Sequence, residues 1–404
     1  MRSVTLTQYR PEPVAGLSVE SRDLLASLVP DLSISPMFGE RDTYLVTAGS
    51  HIGNISVGDL SIRIRPKIPI ESVFFLLSYA LGRVKWMDDA FKFEGGKELL
   101  EAIIPGFAWN TRRAFRNGVL QGYRTEEDAL FTIRGRVRFD EQVKKRYGIA
   151  PPIEVRFDEF TEDILENQLL KAAIARLGKL RIRSQDLRLA LREFDAVLGN
   201  VSDIHFAKDI PRVHYSRLNE RYRPAVELAR LILQSTSFEA PHGDVEASAF
   251  VINMNKAFED FVVLALRDAL DVGEREFPQG AKGKALFLDV SQDIWLEPDI
   301  SWWQGAECVF VGDVKYKKVN AEGIKHPDLY QLLAYSVSAD LPAGMLIYAA
   351  GEGEPASHDT VNVGKRLEVV TLDLAGTPDQ ILRQIHSLAS RIRTLRSEAE
   401  RSVA

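Results

Sequence analysis

The sequence has very little cysteine and no long apolar run. One of its 404 residues is a cysteine, Cys308, which excludes an internal disulfide framework and fits a reducing compartment. The longest apolar stretch, residues 73–81, is too short to cross a bilayer. The first residues also lack an apolar core of signal-peptide length. We therefore expect a cytoplasmic protein without a membrane partner.

Two common cofactor-binding patterns are also absent. Neither a Gly-x-Gly-x-x-Gly stretch nor a phosphate-loop signature occurs anywhere in the chain. The seven histidines are scattered and show no metal-ligand spacing, which argues against a zinc site. The sequence therefore predicts a chain that binds no nucleotide itself.

The charges are distributed unevenly along the chain. Residues 1–240 carry 35 Lys and Arg against 32 Asp and Glu, whereas residues 241–404 carry 16 against 25. An acidic region binds a polyanion poorly by itself, because phosphate contacts supply most non-specific affinity for nucleic acid. If the substrate is nucleic acid, another part or a partner is expected to help hold it. The alternative is that these acidic residues only decorate a solvated surface.

Sequence patterns divide the chain into three regions, residues 1–90, 91–240 and 241–404. The first is predicted to be small and β-rich, because residues 51–57 and 60–65 alternate around a Gly58-Asp59 turn. Arg63, Arg65 and Lys67 share one face there, either as a solvated strand face or as a surface for nucleic acid or a partner. The second region is mainly helical. Turn-forming residues near position 240 mark the next boundary.

The third region alternates helices and strands. Apolar periodicity predicts helices at 250–270 and 326–336, and a last helix after the capping box Thr377-Pro-Asp-Gln380. Short apolar runs predict strands at 285–290, 294–297, 300–303, 308–311, 343–349 and 367–374. This order indicates an α/β sandwich around a mixed sheet. On the strand at 300–303, Trp302 and Trp303 are expected not to point inward together. The whole chain is predicted to be a multidomain α/β (α+β) protein.

Two carboxylates and a lysine follow neighbouring predicted strands. Asp313 and Lys315 lie two apart, so their side chains leave the same face of the sheet. A hairpin through Gly305 would return Asp313 beside Asp299. These carboxylates and the main-chain carbonyl of Val314 would form an oxygen site suited to Mg²⁺, with Mn²⁺ as the alternative ion. Lys315 could then orient a water or offset charge in phosphodiester cleavage.

Three further residues are candidates for the same site. Glu259 lies at the edge of the buried stripe of its helix, from which it could complete the metal shell directly or through water. Gln331 and Tyr335 lie one helical turn apart and could both face the site, where they would position a phosphate or Lys315. Packing of Tyr335 in the core is an equal alternative. An Asp-x-Lys pair alone is more typical of a solvated strand, so the interpretation depends on the whole set.

The chain resembles the PD-(D/E)xK nuclease superfamily. The similar elements are Glu259, Pro298-Asp299, Asp313-Val-Lys315 and the Gln331-x-x-x-Tyr335 helix, the last typical of the RecB-like branch. In finer detail, residues 252–259, 297–300, 313–317 and 328–335 are similar to the McrC subunit family of 5-methylcytosine-specific McrBC restriction systems. Residues 52–58, 64–68 and 134–136 are also similar, so the resemblance touches all three regions.

This resemblance implies a Mg²⁺-dependent DNA endonuclease subunit. It implies further that an McrB-like AAA+ GTPase ring hydrolyses the nucleotide and recognises modified double-stranded DNA. Residues 1–90 would dock into this ring and stimulate its hydrolysis, and Arg134 and Arg136 are the basic pair to test first. Two alternatives remain. One is a stand-alone RecB-like repair or phage-defence nuclease, and the other is a non-catalytic assembly and GTPase-activating subunit.

Overall fold

The computed structural model of the chain describes most of its residues. The described ranges are 2–29, 31–40, 42–81, 99–147, 151–180, 182, 184–206, 210–239, 247–280, 284–316, 326–349 and 355–403. Both predicted region boundaries, at 90/91 and 240/241, fall outside them. No helix within these ranges is long and apolar enough to span a membrane.

The helices and strands alternate irregularly along the chain. The helices are α1 (Val19–Leu28), α2 (Ile70–Ala80), α3 (Leu99–Phe115), α4 (Phe139–Arg146), α5 (Leu165–Gly178), α6 (Gln185–Val197), α7 (Arg223–Ser235), α8 (Met254–Leu270), α9 (His326–Ser338) and α10 (Pro378–Val403). The strands are β1 (Arg2–Thr7), β2 (Pro11–Val14), β3 (Ser33–Pro36), β4 (Tyr44–Thr47), β5 (His51–Val57), β6 (Leu60–Arg65), β7 (Gly122–Leu130), β8 (Arg136–Val137), β9 (Ile153–Thr161), β10 (Thr236–Glu239), β11 (Ala247–Asn253), β12 (Leu286–Phe287), β13 (Trp295–Leu296), β14 (Ile300–Gln304), β15 (Glu307–Lys315), β16 (Ala343–Ala349), β17 (Ala356–Asp359) and β18 (Arg366–Leu372).

Contacts group these elements into two compact units that do not follow the three predicted regions. Unit 1 combines Met1–Arg83 with Glu239–Ala404, and unit 2 is Val84–Phe238. Unit 2 packs helices α3, α5, α6 and α7 together, as the predicted helical region requires. It also contains a three-stranded sheet in the order β7-β9-β8.

The N-terminal sheet of unit 1 includes β11, a strand that follows unit 2 in the sequence. Strand β5 pairs with β6 through the predicted hairpin, in which Val57 faces Leu60 and Gly58 has a φ of +57°. On its other side β5 pairs with β11, which runs directly into α8. The side chain of Asn253, at the end of β11, caps α8 by accepting hydrogen bonds from its first backbone N–H groups. The N-terminal region is therefore built into the same unit as the C-terminal region.

The C-terminal sheet of unit 1 is mixed, as predicted. Its order is β14-β15-β16-β18-β17, with antiparallel pairs at both edges and parallel pairs β15/β16 and β16/β18 inside. Gly305, with a φ of +61°, turns the β14/β15 hairpin. Helices α8, α9 and α10 all pack against β15. The predicted α/β fold class is confirmed, and β15 lies in the interior of its sheet.

The prediction that Trp302 and Trp303 do not both point inward is wrong. The two side chains are 5% and 7% exposed. The register of β14 against β15 shifts between them, and such a bulge interrupts the strict alternation of a strand. Trp302 lies under the Arg396 guanidinium, whereas the Trp303 indole N–H donates to Ser301 Oγ at 2.8 Å. Neither ring is therefore available to nucleic acid or a partner.

Replacing Gly312 with alanine is expected to destabilise unit 1. A Cβ atom there would lie 2.8 Å from the Met345 carbonyl oxygen and 2.9 Å from Ile300 Cδ1, on both neighbouring strands. Overpacking of this kind costs about 1–3 kcal/mol. Chemical denaturation of Gly312→Ala should show this loss. Gly273→Ala is the control, because a Cβ there meets nothing within 4 Å and the free energy of unfolding should change by less than about 0.5 kcal/mol. Equal stability of both variants would contradict the packing argument.

Candidate active site

Strand β15 carries two of the predicted site residues on the same side. Asp313 is completely buried, and Lys315 Nζ lies 2.5 Å from its Oδ2 atom. Apart from this ion pair, neither carboxylate oxygen of Asp313 has a hydrogen-bond partner among the described residues. Burying a charged oxygen without hydrogen bonds is unfavourable, so the neighbouring positive charge is essential.

Asp299 reaches the same place from the start of β14. Its Oδ2 accepts a hydrogen bond of 2.8 Å from the Val314 backbone N–H, and lies 3.6 Å from Lys315 Nζ. The antiparallel hairpin pairs Ile300 with Gly312, which places the two aspartates beside each other as predicted. The structure therefore brings together Asp299, Asp313, Val314 and Lys315.

The surroundings of Asp299 change the pKa of its carboxyl group. Burial and the charge of Asp313 raise the pKa of Asp299 to about 7, although Lys315 and the Val314 N–H oppose this shift. Burial opposes the charge on Lys315, but Asp313 and Asp299 together raise its pKa, so the lysine stays protonated at neutral pH. The site therefore has an excess of negative charge that one lysine only partly offsets.

This arrangement fits a divalent cation. Apart from its ion pair with Lys315, the Asp313 carboxylate has no hydrogen-bond partner in the part of the chain that the structure describes. The neighbouring Asp299 has a carboxyl group whose ionisation a positive charge would favour. Mg²⁺ is usually held by one or two carboxylates and keeps several waters. Asp299 and Asp313 would hold such an ion, and the Val314 carbonyl remains a predicted third ligand. The described ranges contain no cluster of three or more His, Cys, Asp or Glu side chains that could do so.

The Glu259 carboxylate contacts Gln279 and Lys256. On α8 its Oε1 accepts a hydrogen bond from Gln279 Nε2 at 2.7 Å and pairs with Lys256 at 3.2 Å. The same Gln279 amide donates to Asp260 at 2.6 Å, and its backbone bridges to Ile300, the residue after Asp299. Glu259 is therefore linked to the Asp299 loop through Gln279, and its role as a metal ligand stays a prediction.

Gln331 and Tyr335 contact each other on α9. Gln331 Nε2 donates to Tyr335 Oη at 2.6 Å, and Tyr335 Oη donates to the Glu297 carbonyl at 3.0 Å. The Tyr335 ring is 2% exposed within a hydrophobic cluster. Its ring therefore packs in the core while its hydroxyl holds the chain two residues before Asp299. A direct contact of either side chain with a phosphate stays a prediction.

Sequence reasoning missed a second buried acid near the site. Asp328 is 6% exposed and accepts a hydrogen bond of 2.7 Å from Tyr348 Oη, on the strand next to β15. Tyr348 faces Lys315 across the β15/β16 pair, and the charge of Asp328 contributes to the raised pKa of Lys315. Asp328 lies within the segment that resembles the McrC family, but nothing in the spacing indicates that it is buried near the lysine.

These features define a class of protein: an α/β protein with a carboxylate-and-lysine site suited to a divalent cation. The family described as McrBC 5-methylcytosine restriction system component matches residues 46–349. The chain therefore belongs to this family, as the sequence resemblance indicates.

Two known proteins show how far the similarity extends. The type IV methyl-directed restriction enzyme EcoKMcrBC of Escherichia coli (strain K12) is 22% identical over 308 residues, which cover 70% of this chain and 86% of that protein. A chain in a refined half-complex of Thermococcus gammatolerans McrB AAA+ hexamers with bound McrC superposes with a TM-score of 0.53 and 18% identity. That match covers 96% of this chain and all of the other, and it shows a shared fold.

The raised pKa of Asp299 predicts a pH-dependent stability in the presence of a chelator. Because the folded pKa of about 7 exceeds the unfolded value near 3.9, the folded state binds the extra proton between these pH values. The contribution of Asp299 to the free energy of unfolding should therefore fall as pH rises from about 4 to about 7. Asp299→Asn removes this group. The difference in free energy of unfolding between this variant and the wild type should shift in favour of the variant by at least about 1 kcal/mol from pH 4 to pH 8. A difference between the two proteins that does not change with pH, measured by denaturation, would contradict this assignment.

Proposed function

We propose that the chain is the DNA-cleaving subunit of a GTP-driven, modification-dependent restriction complex, acting in the cytoplasm. The observation that carries this proposal is the completely buried Asp313, which lies beside Asp299 and Lys315 at the open end of the β14/β15 hairpin. Membership of a 5-methylcytosine restriction family supports methylated double-stranded DNA as the substrate. The fold shared with a chain from an assembly of McrB hexamers and McrC supports an AAA+ GTPase ring as the partner.

The residues of the site can be given separate roles. A bound Mg²⁺ would polarise the phosphoryl group and favour formation of hydroxide from water. Asp299 and Asp313 would hold the ion, with Asp299 fixed by the Val314 N–H. Lys315, which stays protonated, would donate to the attacking water or to a phosphate oxygen and offset charge that develops there. Tyr335 and Gln331 would keep the Asp299 loop in place.

A partner surface is also available on unit 2. Arg134 and Arg136 are both exposed and flank Gly135, whose φ of +72° and close approach to the Arg156 carbonyl exclude other residues. On the same sheet Tyr123 and Phe160 are exposed, with ring centroids 5.1 Å apart, and exposed apolar groups often mark interaction sites. These residues add candidate contacts to the predicted docking region 1–90.

Replacing Asp313 with asparagine should abolish DNA cleavage. The substitution keeps the shape of the side chain but removes the charge that would hold the ion, so the rate should fall at least about a thousandfold. The measurement is cleavage of methylated DNA with the partner ring, GTP and Mg²⁺. Asp340→Asn, at an exposed surface position of the same unit, is the control and should cut normally. Wild-type cutting by Asp313→Asn would overturn the assignment of the site.

The two predicted activities should separate by mutation. Replacing Arg134 and Arg136 together by alanine should reduce the stimulated GTP turnover of the partner, on the order of tenfold if they contact its active site. Mg²⁺ binding to the isolated chain, measured by calorimetry, should stay unchanged. Asp313→Asn should show the opposite pattern, with normal GTP turnover and weakened Mg²⁺ binding. Loss of both properties in either variant would show that the two functions are not carried by separate residues.

A further inference from the structure

The ammonium group of Lys67 is held against the residue that follows Lys315. Lys67 Nζ donates to the Tyr316 carbonyl oxygen at 3.1 Å, and it lies 4.1 Å from the centre of the Tyr316 ring. The centre of the Tyr9 ring lies 5.0 Å from the same ammonium. An ammonium near two aromatic rings is stabilised by both ring faces. Lys67 is therefore engaged in the interior contacts of unit 1, unlike Arg65, whose side chain is exposed.

Several atoms of the N-terminal region converge on Tyr316. Its carbonyl oxygen accepts a second hydrogen bond, from Tyr9 Oη at 3.2 Å, and its own hydroxyl donates to Gln8 Oε1 at 3.3 Å. The same Gln8 oxygen accepts from the Lys67 backbone N–H at 3.1 Å. The Tyr316 side chain is 1% exposed. Both the ring and the carbonyl group of Tyr316 are thus fixed by side chains that lie about 250 to 300 residues earlier in the chain.

These contacts lie immediately after the C-terminal end of strand β15. Strand β15 ends at Lys315, so Tyr316 lies just beyond the strand. Tyr316 directly follows Lys315, so contacts that hold its ring and carbonyl group also restrain the backbone from which the Lys315 side chain extends. A catalytic group must be held within a fraction of an ångström to be effective. The contacts of Tyr316 therefore bear directly on the short distances from Lys315 to both aspartates.

We propose that Lys67 is a positioning residue for Lys315, acting through the ring and carbonyl group of Tyr316. This assignment rests on the proposed function, because it concerns the same site. This role differs from that of a nucleic-acid contact. The position of Lys67 in the sequence, near Arg63 and Arg65, is equally compatible with such a contact. The N-terminal sheet thereby contributes to the geometry of the active site although it supplies no atom to the reaction.

The experiment compares Lys67→Met, Lys67→Arg and the control Arg65→Met in the complete complex. Lys67→Met keeps the length of the side chain but loses its charge and donor, so kcat for DNA cleavage should fall about tenfold with KM within about twofold. Lys67→Arg retains charge and donor and should restore most of kcat. Arg65→Met should leave kcat unchanged, so that the loss of any DNA or partner contact on this face is seen in KM alone. Equal kcat in Lys67→Met and the wild type, or an increase in KM alone shared by Lys67→Met and Arg65→Met, would overturn the proposal.

A second measurement does not depend on cleavage. Hydrogen–deuterium exchange of the amides of residues 311–316 should be about tenfold faster in Lys67→Met than in the wild type or Arg65→Met, because the end of β15 opens more often. If the wild type does not cut DNA, the proposed function fails, but this exchange still decides whether Lys67 holds the strand. If Lys67→Met does not fold, Tyr9→Phe removes one hydrogen bond to the same carbonyl and should accelerate exchange by a smaller factor. Unchanged exchange in Tyr9→Phe would then overturn the proposal.

Discussion

A completely buried carboxylate beside a single lysine is the constraint on which the rest of the site depends. Asp313 lies on an interior strand, where water cannot solvate its charge, and its ion pair with Lys315 is the main compensation. Burial and the charge of Asp313 raise the pKa of Asp299, the second carboxyl group of the site, to about 7. A site built in this way is less stable than one with the charges removed. Such a cost is typical of functional sites, where groups are arranged for chemistry rather than for stability.

The arrangement of the chain explains why the N-terminal region contributes to this site. Unit 2 is inserted between the first 83 residues and the return of the chain in β11, which pairs with β5 before leading into α8. The N-terminal sheet is thus joined to the helix that packs behind β15. Aromatic contacts continue this junction, because Phe75 and Tyr79 on α2 pack edge-on against Phe261 on α8. Contacts across residues far apart in sequence therefore form one folded unit.

The sequence predicted that Asp299, Asp313 and Lys315 lie close together, because local rules determine this placement. Period-two alternation places Asp313 and Lys315 on one face, and the glycine turn returns the strand beside Asp299. The surroundings could not be predicted in the same way. Tertiary packing determines the bulge beside the buried Trp302 and Trp303. It also determines the hydrogen bond from the Gln279 amide to Glu259. The contact of Lys67 with Tyr316 joins residues 249 positions apart, and no local pattern indicates it.

The charge distribution of the two units bears on how DNA would be held. Unit 1 contains 24 Lys and Arg against 34 Asp and Glu, whereas unit 2 contains 27 against 23. Because affinity for DNA comes largely from contacts with phosphates, the unit that contains the active site is poorly suited to bind its proposed substrate alone. A divalent ion held by Asp299 and Asp313 would offset only the charge nearest the proposed reaction. Under the proposed function, the chemistry and the affinity for DNA would therefore come from different parts of the complex, and cleavage would depend on the part that presents the DNA.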